Sequence, residues 1–362
     1  MGRYAIVCGG TGGHLSPGIA IAEELMMRNE KCLLLISDKA IDNIMLKKYG
    51  QFEYSILPAK PFAKSAGKIF ETIKSQFISF CKCIKLIKSR EIDCIVGMGG
   101  FTNLSAVMAA FLMRKKIILH ESNRVIGKSI KLLAFLADVI FLPPDVNFKN
   151  QFLNKKVAHV SIPLRHEIQK IDKYEARAHL GLDPQASVIT VLGGSQGANA
   201  LNEWAMQNFQ RLNRENLTIC CVRGIRSDIQ EKIIGTSSNG SPIMNVFLPF
   251  CNDMSSLLSA TDLLICRAGA GTIAEAIFFE LPMILVPYPN AAENHQEANA
   301  MCVANGGRAI IVRQNDIGLL TNVVIECFEK NLKNFQPNQL LDCKHSAVEV
   351  IVNYAQKIIG NE

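Results

Sequence analysis

Several features that would place this chain in a common class are missing from it. No run of about 18 apolar residues is long enough to cross a bilayer, and the N-terminal residues match no signal peptide. The twelve cysteines include no CxxC pair and no cluster with histidine, so we expect free, mostly buried thiols in a reducing compartment. No long polar or low-complexity tract indicates disorder. The sequence therefore predicts a folded cytoplasmic protein without a transmembrane helix.

The signatures of several nucleotide-dependent enzymes are absent as well. The chain has no GxxxxGK[ST] motif, which excludes a P-loop ATPase, and no Asp-x-Asp pair that would hold a metal ion against a diphosphate. Residues 9–14 do not give the GxGxxG spacing of a dinucleotide site, although Asp38 follows the second predicted strand at a suitable place. A Rossmann oxidoreductase therefore remains an alternative.

The chain is mildly basic, with 39 Lys and Arg residues against 32 Asp and Glu residues and a formal charge of +7. Nucleic acid, an anionic membrane surface and an anionic substrate would each suit this charge, as would a solvated surface without a partner. The positions of the basic residues must decide among these partners.

Short apolar runs alternate with longer helical patterns, and the pattern restarts near residue 160. The predicted strands cover residues 4–8, 32–36, 93–96, 116–120 and 138–142, then 187–192, 217–222, 245–248, 263–266, 283–286 and 308–312. Continuous apolar strands separated by helices are typical of parallel sheets covered on both faces. We therefore predict an α/β fold of two doubly wound, Rossmann-like domains, 1–160 and 161–340, with an interdomain cleft. A helix in 341–362 is placed to pack back on the first domain.

Four glycine-rich loops follow predicted strands, two in each domain, at residues 9–14, 97–101, 193–198 and 267–272. Glycine lets the backbone approach a phosphate, and the N-terminus of a following helix offers N–H groups and a partial positive charge. A single such loop is often only turn geometry. Four loops at the same ends of their strands predict phosphates or diphosphates bound in the cleft.

Polar side chains beside these loops are the candidates for chemistry. His14 ends the first loop, and imidazole is a suitable general base near neutral pH. Glu121 and Asn123 follow a strand of the first domain and suit sugar hydroxyls. In the second domain, Glu275 suits a ribose diol and Arg267 a leaving diphosphate. Each side chain also has a structural alternative, such as compensating a helix dipole or forming a turn.

Residues 60–91 combine lysines with phenylalanines and isoleucines. Eight basic residues stand against only two acidic ones, Glu71 and Glu91. Apolar residues at spacings of three and four predict an amphipathic helix, and lysines opposite phenylalanines are typical of a helix on an anionic membrane. The alternative is an ordinary surface helix that packs its apolar stripe on the core.

The four loops and the HESN sequence at residues 120–123 together resemble the MurG family of bacterial UDP-N-acetylglucosamine:undecaprenyl-pyrophosphoryl-MurNAc-pentapeptide N-acetylglucosaminyltransferases. The resemblance is colinear from residue 4 to about residue 315. It implies a GT-B fold, a UDP-GlcNAc donor, a polyprenyl-pyrophosphate-linked MurNAc-peptide acceptor, and neither a metal nor another cofactor. It also implies a peripheral protein at the anionic cytoplasmic face of the inner membrane, acting in peptidoglycan synthesis, with no nucleic-acid partner.

The resemblance also implies roles for residues of both domains. His14 would be the base beside the acceptor, Ser195 would contact the donor diphosphate, and Cys251 would meet uracil through its backbone. Glu275 would bind ribose and Gln296 the transferred sugar. The other implied ligand contacts are Thr11, Gly12, Gly13, Asn123, Arg165, Ala270, Gly271, Thr272, Ile273 and Ala274.

Three positions depart from the family pattern. Ser122 stands where Gln is common, Ile162 stands where Asn is common, and the loop before Gln296 has one extra residue. The last two departures bear on the roles implied for Arg165 and Gln296.

The implied reaction inverts the sugar anomeric carbon: the 4-hydroxyl of MurNAc attacks C1 of GlcNAc, UDP leaves, and His14 takes the hydroxyl proton. Other GT-B enzymes remain as alternatives, namely a glycolipid glucosyltransferase or a UDP-GlcNAc 2-epimerase. A sensor that binds a nucleotide sugar without turnover is a further alternative.

Overall fold

The computed structural model describes residues 1–10, 12–61, 66–194, 197–224, 230–333, 335 and 346–360. Two of the implied ligand contacts, Thr11 and Ser195, lie outside the described residues, as does Phe62 of the basic segment. The chain divides into two compact units, which we call unit 1 (Met1–His166 with Lys344–Glu362) and unit 2 (Glu167–Cys343).

Unit 1 is built on a sheet of seven strands. They are β1 (Arg3–Val7), β2 (Lys31–Ser37), β3 (Glu53–Leu57), β4 (Cys94–Gly97), β5 (Lys116–His120), β6 (Val139–Leu142) and β7 (Val157–His159). All neighbouring strands are parallel, in the order β3-β2-β1-β4-β5-β6-β7. This is the doubly wound order with one added edge strand, and its direction reverses between β1 and β4.

Helices cover both faces of this sheet. They are α1 (Gly12–Met27), α2 (Ala40–Leu46), α3 (Ala66–Ser89), α4 (Thr102–Leu112), α5 (Lys128–Leu133) and the single turn α6 (Gln151–Asn154). Ile19 of α1 and Leu46 of α2 belong to the core on one face, whereas Cys83 of α3, Val107 of α4 and Ile130 of α5 belong to the core on the other. The central strands are buried along nearly their whole length because both faces are covered, which explains their mostly apolar sequences.

Unit 2 repeats the plan. Its strands are β8 (Ser187–Leu192), β9 (Leu217–Val222), β10 (Glu231–Thr236), β11 (Pro242–Leu248), β12 (Leu263–Cys266), β13 (Met283–Leu285) and β14 (Ala309–Ile311). Its helices are α7 (Lys173–Leu180), α8 (Asn199–Arg214), α9 (Met254–Ser259), α10 (Ala270–Phe278), α11 (His295–Asn305) and α12 (Leu320–Glu329). The strand order is β10-β11-β9-β8-β12-β13-β14, and the direction reverses between β8 and β12. Only the edge strand β10 is antiparallel to its neighbour among the described strands.

The C-terminal helix α13 (Ser346–Ile359) belongs to unit 1. Its apolar side, including Ile351 and Val352, joins the core on the face covered by α1. Arg28 at the end of α1 donates to the side-chain oxygens of Asn353 and Gln356, at 2.6 and 2.9 Å. These contacts fix α13 on unit 1 although it is the last element of the chain.

All eleven predicted strands are confirmed, with small differences at their ends. The first boundary between the units falls between His166 and Glu167, later than the predicted residue 160. The reason is that Arg165 donates to the hydroxyl of Tyr49 at 3.0 Å, and the backbone N–H of His166 donates to Glu23 at 2.8 Å. Among the described residues, no helix combines the length and apolar character needed to cross a membrane.

Candidate active site

The glycine loops occupy equivalent places in the two units. In unit 1 they follow β1 and β4, and in unit 2 they follow β8 and β12. These pairs of strands flank the point where the strand order reverses, which is where open α/β sheets bind ligands beyond the carboxyl ends of their strands. The sequence prediction of loops at equivalent strand ends is confirmed for the described residues.

A buried carboxylate fixes the first loop. The Oδ2 atom of Asp42 accepts hydrogen bonds from the backbone N–H groups of Gly10 and Ser37, at 2.9 and 3.1 Å. Gly10 has a φ of 115°, in the left-handed region that favours glycine. The acidic residue that serves this loop is therefore Asp42, which is fully buried, whereas Asp38 is exposed. Asp42 was missed because it lies on α2 rather than in a strand-end motif.

His14 lies in the first turn of α1, against the second glycine loop. A Cβ atom built on Gly99 would lie 3.1 Å from Nε2 of His14, and one built on Gly100 would lie 3.3 Å from Nδ1. Both glycines have positive φ angles, of 100° and 80°. The two loops of unit 1 therefore meet at the imidazole, and a Cβ atom at either glycine would crowd the ring.

Glu121 organises the loop after β5. Its Oε1 atom accepts hydrogen bonds from the backbone N–H and the side-chain amide of Asn123, both at 2.9 Å, and its Oε2 atom accepts one from Gly127 at 2.8 Å. The buried carboxylate thus orients Asn123 within its own loop. The sequence suggested that Glu121 itself binds sugar hydroxyls, but in this structure both carboxylate oxygens serve the loop.

His120, at the end of β5, is the second imidazole of this region and is buried. Burial lowers the pKa of His120 to about 3, and the nearby His14 adds to the shift. His120 is therefore neutral at physiological pH.

This shift predicts a pH-dependent stability. Below the ordinary histidine pKa of 6.5, the unfolded chain binds a proton that folded His120 does not, so the free energy of unfolding should fall as pH falls from 6.5 towards 3. His120 contributes about 1.4 kcal/mol per pH unit to this slope. Denaturant unfolding between pH 7 and pH 4 should show a shallower slope for His120→Gln than for wild type. The exposed His179→Gln serves as the control, and equal slopes for His120→Gln and wild type would contradict the prediction.

The implied ligand contact Arg165 is largely buried in unit 1, where it donates to Tyr49 as described above. It lies at the end of unit 1, next to the boundary with unit 2. The sequence-based division had placed it in the second domain. The hydrogen bonds of residues 165 and 166 explain the difference.

In unit 2, two glycines of the third loop lie close to other backbone atoms. A Cβ atom on Gly193 would lie 2.3 Å from the backbone nitrogen of Ala198, and one on Gly197 would lie 2.1 Å from the carbonyl oxygen of Arg223. Gly194 and Gly197 have φ angles of 81° and 78°. Glycine is thus required by the fold at these positions, independently of any ligand.

The fourth loop is open by comparison. A Cβ atom on Gly269 or Gly271 would meet no described atom within 4 Å. Helix α10 begins directly after Gly269, so its first turn contains Ala270, Gly271 and Thr272, and the next turn contains Ile273, Ala274 and the buried Glu275. The backbone N–H groups of a helix N-terminus suit an anion, and an open glycine backbone lets the anion approach.

The remaining donor residues implied by the family resemblance that the structure describes, Cys251 and Gln296, lie in two further segments of unit 2. The half-buried Cys251 follows β11, and its thiol donates to the carbonyl oxygen of Asp253 at 3.1 Å. Asp253 in turn caps α9 by accepting from the backbone N–H of Ser256 at 3.0 Å. In the first turn of α11, Gln296 accepts from the backbone N–H of Tyr288 at 2.8 Å.

Comparison with known proteins defines the class. The glycosyltransferase family 28 N-terminal domain matches residues 4–142, and the family 28 C-terminal domain matches residues 188–351. The crystal structure of Acinetobacter baumannii MurG superposes with a TM-score of 0.69 at 23% identity, covering 99% of this chain and all of that chain. Streptomyces sp. SF2575 glycosyltransferase SsfS6 with thymidine diphosphate superposes with a TM-score of 0.63 at 10% identity, covering 99% of this chain and all of that chain. The protein is a glycosyltransferase of the GT-B fold.

Sequence relatives narrow the class. The chain is 36% identical over 355 residues to the UDP-N-acetylglucosamine–N-acetylmuramyl-(pentapeptide) pyrophosphoryl-undecaprenol N-acetylglucosamine transferase of Opitutus terrae, covering 98% of this chain and 94% of the relative. It is 35% identical over 336 residues to the enzyme of the same name from Prochlorococcus marinus MIT 9211, covering 92% and 90%. The chain belongs to this N-acetylglucosamine transferase family, known as MurG.

Proposed function

We propose that the protein transfers N-acetylglucosamine from UDP-GlcNAc to the 4-hydroxyl of MurNAc in undecaprenyl-pyrophosphoryl-MurNAc-pentapeptide, with inversion at the anomeric carbon. The observation that carries this proposal is the 36% identity to a transferase of that name over 98% of the chain. The glycine loops at the strand-order reversal of both units support it, because the donor and the acceptor each contain a diphosphate.

The proposed roles divide between the units. Unit 1 contributes the substrate contacts Thr11, Gly12, Gly13, Asn123 and Arg165, with His14 beside the acceptor as the general base. Unit 2 binds the donor through Ser195, Cys251, Ala270, Gly271, Thr272, Ile273, Ala274, Glu275 and Gln296. The proximity of His14 to Gly99 and Gly100 supports its role as base, because their backbone restricts the position of the ring.

We also propose that the reaction needs no divalent ion. The N-terminus of α10, opened by glycine, can stabilise the leaving diphosphate through backbone N–H groups. Helix N-termini act at the position where charge develops in the transition state, as a metal ion does in other transferases.

The deciding experiment measures UDP release from UDP-GlcNAc in the presence of a metal chelator, with and without a polyprenyl-pyrophosphoryl-MurNAc-peptide. We expect release only with the acceptor. Free N-acetylmannosamine would indicate a 2-epimerase, and tight UDP binding without release would indicate a sensor. Activity that returns only with magnesium or manganese would contradict the metal-independent mechanism alone.

Replacement of Glu275 by alanine should weaken UDP-GlcNAc binding by about 1–3 kcal/mol, since a charged hydrogen-bond acceptor for the ribose hydroxyls is lost. Isothermal titration calorimetry with UDP and with UDP-GlcNAc measures this change. UDP contains the ribose, so both ligands should lose the same affinity. The exposed helical Glu203→Ala is the matched control within unit 2. Unchanged affinities in Glu275→Ala would remove the ribose role.

We further propose that α3 attaches the protein to the cytoplasmic face of the inner membrane. The N-terminal half of α3 is inverted relative to an ordinary surface helix. The side chains that it buries are polar: Thr72, Ser75, Gln76 and Ser79. The side chains that it exposes are apolar: Ile69, Phe70, Ile73, Phe77 and Ile78. Packing on the core therefore does not explain these apolar residues.

The second half of α3 is ordinary. Cys83 and Ile87 are buried in the core, and Lys85 and Lys88 are exposed. Basic residues next to an exposed apolar surface suit an anionic bilayer, because the lysines bind the headgroups while the apolar side chains enter the interface. Lys82 has a different role, since its ammonium donates to the carbonyl oxygen of Ile56 at 2.7 Å.

A further inference from the structure

Arg267 joins the carboxyl ends of three adjacent strands of unit 2. It follows β12 directly, and its Nη1 atom donates to the carbonyl oxygens of Val286 and Pro287, at 3.0 and 3.3 Å, just beyond β13. Its Nη2 atom donates to the side-chain oxygen of Gln314, just beyond β14, at 2.6 Å. The guanidinium also lies 5.5 Å from the centre of the Tyr288 ring. The planar, forked guanidinium can make all these contacts at once.

These contacts fix the start of a loop that ends at Gln296. The backbone N–H of Tyr288 donates to Oε1 of Gln296 at 2.8 Å. The amide oxygen of Gln296 is thus engaged by the loop, and its amide nitrogen is the group that can donate to a sugar hydroxyl. The orientation of this amide depends on the position of Tyr288, and that position depends on Arg267.

The same loop has a strained backbone and a second attachment. Glu293 and Asn294 have φ angles of 51° and 57°, in the left-handed region that non-glycine residues adopt only at a cost. In the second turn of α11, the helix that follows this kink, Asn299 donates to the carbonyl oxygen of Ala268 at 3.1 Å. A strained kink persists when contacts on both sides hold it, and Arg267 and Asn299 supply those contacts.

We propose that Arg267 is a positioning residue that orients Gln296 towards the transferred sugar, rather than a ligand of the diphosphate. This inference rests on the proposed donor role of unit 2. The described hydrogen bonds of Arg267 all run to protein oxygens on the loops after β13 and β14. The part of the donor that Arg267 controls is therefore the sugar, which is present in UDP-GlcNAc and absent from UDP.

The test compares the affinities of wild type and Arg267→Met for UDP and for UDP-GlcNAc by calorimetry. We expect the affinity for UDP-GlcNAc to fall about tenfold or more, because at least one well-oriented hydrogen bond to the sugar is lost. The affinity for UDP should change less than about threefold. Arg267→Lys should recover part of the loss, because an ammonium can still donate to one or two of the three oxygens. An equal loss of affinity for both ligands would overturn the proposal and make Arg267 a diphosphate ligand.

Two more variants keep the test decisive if Arg267→Met does not fold. Gln314→Leu removes one partner of Arg267 and should give a smaller loss, again confined to UDP-GlcNAc. The neighbouring Arg313→Met is the control, because Arg313 is exposed and pairs with Glu297 of α11 without reaching the loop start. Loss of UDP affinity in Gln314→Leu would contradict the positioning role. Equal losses of UDP-GlcNAc affinity in Gln314→Leu and Arg313→Met would contradict it as well.

Hydrogen exchange at the Tyr288 amide separates this inference from the proposed function. Exchange should accelerate at least about tenfold in Arg267→Met, whether or not the protein binds a nucleotide sugar. A wild-type protein that binds no UDP-GlcNAc would refute the donor role while leaving this structural readout intact. An unchanged exchange rate would refute the positioning role even if transfer activity is present.

Discussion

Replacement of His14 by glutamine is expected to lower kcat for GlcNAc transfer by about 10²–10⁴-fold, the usual contribution of a general base. Glutamine can hydrogen-bond the acceptor hydroxyl but cannot remove its proton during attack on the sugar. The affinity for UDP should stay within about twofold, because the proposed nucleotide contacts all belong to unit 2. Steady-state UDP release with saturating acceptor, together with calorimetry for UDP, measures both quantities.

The control for His14 is the exposed His159→Gln, also in unit 1, which should retain wild-type kcat. A His14→Gln enzyme whose KM for the acceptor rises while kcat is unchanged would show that His14 only binds the acceptor. Replacing Gly99 by alanine should act in the same direction as His14→Gln, because its Cβ would approach the imidazole Nε2 to 3.1 Å and the backbone has a positive φ. A normal kcat in Gly99→Ala would indicate that the ring position is not critical.

The buried strands of the fold could be predicted from the sequence, whereas three of the four edge strands could not. Strands such as β4 and β12 are buried along their whole length and therefore have continuous apolar sequences. The edge strands β3, β7 and β10 were not predicted, because they expose many side chains and have mixed sequences. In β10 the exposed Ile234 and Lys232 stand beside the buried Gly235, a sequence with no clear strand signal.

The glycine loops could also be predicted, because glycine followed by a helix after an apolar strand is a local pattern. The contacts that distant side chains make with these loops and with neighbouring loops could not. Asp42 reaches the first loop from α2, and Arg267 reaches loops that follow two other strands. Such contacts depend on where strands lie in the sheet, and strand order is not written in any short stretch of sequence. The exposed apolar side chains in the N-terminal half of α3 could not be predicted for a related reason. The spacing of apolar residues shows that a helix has an apolar and a polar face, but it does not show which face packs on the core.

Loss of membrane binding is the second large effect that we expect, and α3 defines the variant. Lys74, Lys85 and Lys88 are exposed on α3, and Phe77 is 65% exposed. Each lysine near an anionic surface contributes on the order of 1 kcal/mol, and insertion of a phenylalanine side chain adds about 2 kcal/mol. Changing the three lysines to glutamate together with Phe77→Ser should therefore abolish co-sedimentation with anionic vesicles. Lys82 is left unchanged because its bond to the carbonyl oxygen of Ile56 holds α3 on the sheet.

The matched control reverses three exposed lysines on the opposite face of the same sheet, Lys47, Lys48 and Lys357. This control variant has the same change in net charge as the triple lysine replacement on α3. We expect it still to bind vesicles, which would show that the position of the charge matters and not only its amount.

Wild-type binding should weaken steeply with salt because the attraction of the lysines to the membrane is screened, whereas Phe77→Ser alone should lower binding equally at all salt concentrations. The α3 variant and the lysine control should both bind UDP as tightly as wild type, which would show that unit 2 is intact. If wild-type protein does not sediment with anionic vesicles at low salt, α3 is not a membrane anchor, and its exposed phenylalanines must serve another contact.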